Sequence, residues 1–330
     1  MKNKHVKRVN LLLSILLGAG VFIFFGVYYP YHLHYQEQFQ MFLFTSGYFV
    51  ERVSHPGGVA DYLGNFLTQF YYYSWAGAAV LAGVLWGMQR LVAFIAGRMG
   101  ECSLWYPLTL LPSLCFFILL CDENYLLSGV LSACMVLGAV AGYTCISNPV
   151  VRRISLWAGI PVLYMLVGGC AWLFIPLALM VEFWRFGTKH SSLWLPAGAI
   201  LVAGVTIWAS RWLFPYPMDR LLWGIGSYRF PLFFPKAQVV AWIALVLVPP
   251  LVARLPGKIT RGRYVMALTG QFLLMLLAMN LLGKRSIAMN KEAVMAYDCH
   301  VRMQDWDGII ALAGKKLPDT PMAVSCLNLA

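Results

Sequence analysis

Charge is scarce in this sequence, and negative charge is scarcest: 13 Asp and Glu stand against 25 Lys and Arg in 330 residues, while 60% of the chain is hydrophobic. So few polar side chains cannot cover a water-soluble globule of this length, and the remaining surface must face lipid. The long apolar runs are nearly free of ionisable residues. That argues against a transporter, which needs such groups at mid-membrane depth. The eight cysteines include no CxxC pair, which removes the zinc-ribbon and thioredoxin-like readings. Those beside or within apolar runs, Cys102, Cys115, Cys121, Cys134, Cys145 and Cys170, read as small core hydrophobes. The net charge of +12 does not indicate nucleic acid, because the basic residues form short clusters between apolar runs and line no single face.

What is present is a series of segments long enough to cross a bilayer, each needing roughly 20 apolar residues. Spans are predicted near 9–29, 74–97, 104–121, 125–146, 193–214, 237–253 and 264–283. Between Arg153 and Arg185 a further apolar stretch is interrupted by Pro161, Gly168–Gly169 and Pro176. It has room for two short crossings or a re-entrant hairpin, and either preserves parity. The fold class is therefore an all-α polytopic transmembrane bundle, with residues 1–283 as the membrane domain. Lys2, Lys4, Lys7 and Arg8 precede the first span, which has no small-residue cleavage site, so it reads as a retained signal anchor with the N-terminus in the cytoplasm. Loops assigned alternately hold roughly fourteen basic residues inside and five outside. One loop is discordant: 211–236 carries Arg211, Arg220, Arg229 and Lys236 on the predicted outer side. A misplaced span or a basic functional patch would account for it.

The outer loop 30–73 shows helix-like recurrence over Glu37–Val53 and again over Val59–Tyr72, separated by Pro56–Gly57–Gly58. Two helices lying along the membrane interface are expected there. Gly83-x-x-x-Gly87 and Gly138-x-x-x-Gly142 suggest close helix packing within the bundle. Glu182 and Arg185, one turn apart, are expected to pair. After Gly283 the composition turns polar. Met303–Ile310, with Ala313 and Pro318 beyond it, resembles the turn and second helix of a tetratricopeptide repeat, with Ala293–Arg302 as the preceding helix and a second repeat starting at Thr320. Residues 284–330 are thus read as a helical-repeat tail outside the membrane. Since about three such repeats are needed to bury a core, the chain reads as the N-terminal part of a longer protein.

Most of the few carboxylates fall on the predicted outer side: Glu37, Glu51, Asp61, Asp122, Glu123 and Asp219. This layout resembles, in topology, the GT-C class of membrane glycosyltransferases, which use polyprenyl-phosphate-linked sugars. In that class an acid in the long first outer loop and an acidic pair in a short second outer loop are essential. By position Glu37 matches the first, and Asp122 with Glu123 the second. The resemblance implies catalytic roles for these three residues and a phosphate-holding role for Arg220 and Arg229. In place of the Asp-x-Asp pattern stands His32-x-His34-x-x-Glu37, which offers metal-ligand types but no clear fourth ligand, so no metal is assigned and any cofactor is left open. The layout of many spans followed by tetratricopeptide-like helices also resembles a group of uncharacterised bacterial inner-membrane proteins.

Two readings follow. The first is an outer-leaflet enzyme whose partner is a membrane lipid such as a polyprenyl phosphate. The second is a non-catalytic anchor that presents its helical tail to a periplasmic protein and needs no particular carboxylate.

Overall fold

The computed structural model describes residues 2–100, 104–187, 193–224, 226–230, 234–255 and 261–330. Helices succeed one another throughout: α1 (Lys2–Ile23), α2 (Pro30–Gln38), α3 (Ser46–Val53), α4 (Gly58–Thr68), α5 (Ser74–Met99), α6 (Leu111–Leu120), α7 (Leu127–Cys145), α8 (Pro149–Val167), α9 (Phe174–Arg185), α10 (Trp194–Leu213), α11 (Met218–Trp223), α12 (Lys236–Arg254), α13 (Arg261–Ser286), α14 (Met289–Arg302), α15 (Trp306–Lys315) and α16 (Pro321–Leu329). Among the described residues the only extended pairing is a bridge between Tyr125 and Tyr228. Among the described residues six segments are long and apolar enough to cross a membrane, and Tyr106–Leu120 and Val265–Leu281, expected as spans, are shorter apolar helices. This is the all-α polytopic bundle expected from the sequence.

α5 and α7 form the centre. Leu81, Leu85, Met88, Val92 and Ile95 of α5 are almost fully buried, a three-to-four residue spacing that keeps one stripe turned inward. α10 lies at the rim, with Leu201, Trp208 and Trp212 between 65% and 77% exposed. An apolar belt of that kind is stable only against lipid. The stretch from Pro149 to Arg185 folds as a helical hairpin: α8, a tight turn at Gly168–Leu173, and α9 returning. Arg152 at the start of α8 binds Glu182 near the end of α9, Nη2 to Oε1 at 2.9 Å, and Tyr143 donates to the same carboxylate. Glu182 therefore pairs across helices, and not with Arg185, which donates to the Arg98 carbonyl. The glycines expected to pack helices within the bundle do not: a Cβ at Gly83, Gly87, Gly138 or Gly142 would meet nothing within 4 Å.

The opposite end of the bundle is more elaborate. The helix expected over Glu37–Val53 is broken by an extended stretch at residues 40–45. Thr45 ends the break by accepting the Tyr48 N–H as an N-cap of α3. α4 is packed against α7 and α8. Its inward face is the small and polar one: Gly58, Asp61, Gly64, Asn65 and Thr68 are buried. A Cβ at Gly64 would stand 2.9 Å from the Ser128 backbone nitrogen, so α4 reaches α7 at backbone distance. Gly57, at φ 84°, faces Gly168, at φ 63°, and a Cβ at Gly57 would lie 3.3 Å from the Gly168 Cα. Both glycines hold a left-handed backbone that other residues rarely adopt.

The C-terminal helices dock on this same end. The Glu292 side chain of α14 accepts the backbone N–H groups of Tyr31 at 2.7 Å and His32 at 3.0 Å. These are two of the N–H groups left open at the start of α2, so a residue some 260 positions away serves as its cap. Lys291 pairs with Glu123, and the Tyr31 hydroxyl meets His300 Nε2 at 3.2 Å. α14–α16 pack on one another around Tyr297, Ile309 and Ala323.

Glu292→Ala should leave two buried amides without an acceptor and weaken docking of α14 by about 1–3 kcal/mol, read as faster hydrogen exchange at Tyr31, His32 and along α14. Burial pushes the Glu292 carboxyl up from 4.5 to about 7, against the pull of its two backbone donors. The folded chain then binds this proton more tightly than the unfolded one, so the stabilisation is complete below about pH 4.5 and lost as pH rises through about 7. Protease resistance of α14–α16 should fall across that window. Glu292→Gln should flatten the dependence, and an unchanged pH profile in that variant would refute the assignment.

Candidate functional site

The end of the bundle that carries α2–α4 also holds a cavity of about 530 Å³. α3 delivers Arg52 to it, and the turn after α3 delivers His55. The first turn of α4 delivers Asp61, whose Oδ2 lies 3.0 Å from Arg52 Nη1. Burial raises the Asp61 carboxyl above the usual range, while Arg52 and His55 pull it back. Opposite stands the segment between α10 and α12. There Arg220 lies over the Tyr216 ring at 5.6 Å. α11 is held in place from below: the Tyr164 hydroxyl donates to the Leu221 carbonyl at 3.0 Å, and the Trp172 indole N–H to the Leu222 carbonyl at 2.7 Å. These bonds use carbonyls that so short a helix leaves open.

Arg229 closes a third side. Its backbone N–H donates to the Asn124 carbonyl at 2.9 Å, its Nη1 donates to the Tyr35 hydroxyl at 2.9 Å, and its guanidinium stacks 4.4 Å from the Phe39 ring centroid. Three arginines and His55 thus share the cavity wall with two carboxylates, Glu51 and Asp61. Asp61 is already committed to Arg52. Among the described residues Arg220 and Arg229 form no ion pair, and Arg220 Nε is buried without a hydrogen-bond partner. Such a wall attracts an anion, and guanidinium forks suit the oxygens of a phosphate.

A second cavity of about 420 Å³ runs along the flank of the bundle between α8 and α10, lined by Pro161, Met165, Leu201, Val205 and Leu213. It is almost wholly apolar. Phe214 lines both cavities, so the apolar groove ends where the cationic pocket begins.

The residues singled out from the sequence are distributed unevenly around this site. Arg220 and Arg229 are brought together in it, which gives the discordant basic loop a physical reason. Asp122 stands one residue behind: its Oδ2 accepts the Tyr228 hydroxyl at 3.1 Å and its Oδ1 accepts the Asn124 N–H at 3.0 Å, an arrangement that shapes the turn. Glu123 is turned toward Lys291 of the C-terminal helices. Glu37 sits half-buried on α2, with Arg302 the charged group that bears on it. Neither Glu37 nor Glu123 lines the cavity. His32 is buried among Phe25 and Tyr29, while His34 bonds Ser74, so the two imidazoles do not converge.

Asp61 was named among the outer carboxylates without a role of its own, and Arg52, His55 and Tyr216 were assigned none. A signal was available: Arg52 and Asp61 flank Pro56–Gly57–Gly58, and a helical hairpin about that turn brings them face to face.

The fold defines a polytopic helical integral membrane protein, and the pocket lies at one end of its bundle with three arginines in its wall. Residues 4–330 match the model of the family of unknown function DUF6057, and the chain belongs to that family. No curated protein and no solved structure matches it.

Arg52→Met should lower stability in detergent by about 1–3 kcal/mol, because the buried Asp61 carboxylate loses its partner. The double variant Arg52→Met, Asp61→Asn should recover part of that loss in thermal unfolding. Strict additivity would show that the pair is not coupled.

Proposed function

We propose that this protein is a glycosyltransferase-like enzyme of the bacterial inner membrane, which takes a sugar from a polyprenyl-phosphate carrier at the periplasmic leaflet. The observation that carries this reading is the meeting of the two cavities at Phe214. A lipid chain lying in the groove between α8 and α10 would bring its phosphate to Arg220 and Arg229, which have no carboxylate to satisfy them. An amphiphile with an apolar tail and an anionic head is the ligand chemistry that this pairing favours, whereas a soluble anion would leave the groove without a purpose. The cytoplasmic N-terminus and the periplasmic placement of the pocket and of α14–α16 belong to this proposal and rest on the charge asymmetry of the loops.

In this reading the carboxylate that meets the acceptor is Asp61, which lines the pocket, in place of Glu37. The acceptor hydroxyl oxygen attacks the anomeric carbon, and the carbon–oxygen bond to phosphate breaks. The lipid phosphate leaves with the electron pair, steadied by Arg220 and Arg229, and the hydroxyl proton passes to Asp61. Asp122 acts through Tyr228 as a positioning residue.

A second reading, an anchor that presents α14–α16 to a periplasmic protein, draws on the exposure of Ile310, Leu317 and Met322 in those helices. One experiment separates the two. Lipids that co-purify with the wild type should include a polyprenyl phosphate or its glycosylated form by native mass spectrometry, and the Arg220→Ala, Arg229→Ala double variant should lose it. Bulk phospholipid alone in both would sink the enzyme reading and favour the anchor.

A further inference from the structure

Beneath the cationic pocket lies a much smaller cavity of about 20 Å³. Gly226 lines both, and a Cβ there would stand 3.3 Å from Asp61 Oδ1. The small cavity therefore adjoins the reacting end of the proposed site. Its walls include Gln238 and Trp242 of α12 and Ser128 and Ser132 of α7. Among the described residues no charged side chain lines it.

Two of these groups are buried polar atoms in search of a partner. Gln238 is 2% exposed, and among the described residues its carboxamide oxygen has no hydrogen-bond partner. Trp242 is 8% exposed, and among the same residues its indole N–H has none either. They stand one helical turn apart on α12, hence on one face. Unsatisfied groups at this depth are rare and call for a reason. One acceptor and one donor side by side match a hydroxyl, which offers one O–H and accepts through its lone pairs. The serines strengthen the match: Ser132 Oγ donates to the Ser128 carbonyl at 2.8 Å and Ser128 Oγ donates to the Gly226 carbonyl. Their protons are spent, so their oxygens are left to accept. The volume admits roughly one oxygen-sized group, since a water needs about 10–15 Å³ by this measure. An ion is disfavoured there, because no countercharge lines the wall.

We infer that this cavity is a hydroxyl-binding subsite for the sugar of the donor, holding one hydroxyl of a neutral glycosyl group whose phosphate lies against Arg220 and Arg229. The inference rests on the lipid-phosphate reading and deepens it: the subsite distinguishes a glycosylated carrier from a carrier with no sugar. A hydroxyl placed between Gln238 and Trp242 also fixes the orientation of the ring, and with it the face of the anomeric carbon turned toward Asp61.

The test is a binding competition on the purified full chain in detergent, by native mass spectrometry, between decaprenyl phosphoryl hexose and decaprenyl methyl phosphate. Both carry one negative charge on a phosphodiester, and only the first has sugar hydroxyls. Wild type should prefer the hexosyl ester by about tenfold, the effect of one or two buried hydrogen bonds. Gln238→Leu should level the two ligands while leaving affinity for the methyl ester unchanged. Trp242→Phe keeps the ring and drops the N–H, so it should reduce the preference even where Gln238→Leu fails to fold. Equal binding of both esters by the wild type, or an undiminished preference in the folded variants, would overturn the subsite and leave a cavity occupied by solvent. Failure of both esters to bind, or binding indifferent to Arg220→Ala, would instead overturn the lipid-phosphate reading, and the subsite with it.

Discussion

The loop-bearing end of this molecule depends on the seating of α4 at backbone distance against α7 and α8. Gly57 facing Gly168, and Gly64 facing Ser128, leave no room for side chains between the elements. Close approach lets α4 turn its polar residues inward, where protein groups can satisfy them, and its apolar residues outward. That orientation is stable because buried polar groups need hydrogen-bond partners, which the protein supplies. Asp61 faces inward for this reason, and Arg52 meets it because the turn at Pro56–Gly57–Gly58 folds α3 back beside α4. Remove the close approach and the pocket loses one wall.

The same inversion explains how much of the protein could be read in advance. Five of the seven expected spans were legible because hydrocarbon thickness and helix rise fix the length of an apolar run, whereas the expected spans 104–121 and 264–283 fall on shorter apolar helices. The basic loop at 211–236 was legible as an anomaly, since four cations on an outer face need a local reason, and the pocket supplies one for Arg220 and Arg229. α4 was legible as a helix but not in its placement. Amphipathicity indicates that one face differs from the other; which face is buried depends on whether water or lipid lies outside.

Other features were beyond sequence pattern altogether. Glu37 and Asp61 are both acids of the segment between α1 and α5, and spacing alone does not reveal that Asp61 lines a cavity while Glu37 faces the C-terminal helices. The same holds for Glu182, where a local pairing with Arg185 looked natural and the partner is Arg152, on the neighbouring helix. The cap of α2 by Glu292 joins residues 261 positions apart, so no local window contains both. Interactions of this length are set by how helices pack, which follows from shapes that emerge only when the bundle assembles.

That last contact also orders events in time. α2 leaves the ribosome early and Glu292 late. At about 5–20 residues per second the interval is roughly 13–50 s. Through that interval the first amides of α2 have no acceptor from Glu292, and the helix carries Tyr35 and leads into Phe39, two of the rings against which Arg229 rests. The walls of the pocket are therefore not completed by insertion of the spans alone. They wait on the arrival of α14, so a late segment acts as a keystone: a bundle whose spans are all in place, but whose α14 has yet to dock, would hold Arg229 against a loosely anchored support.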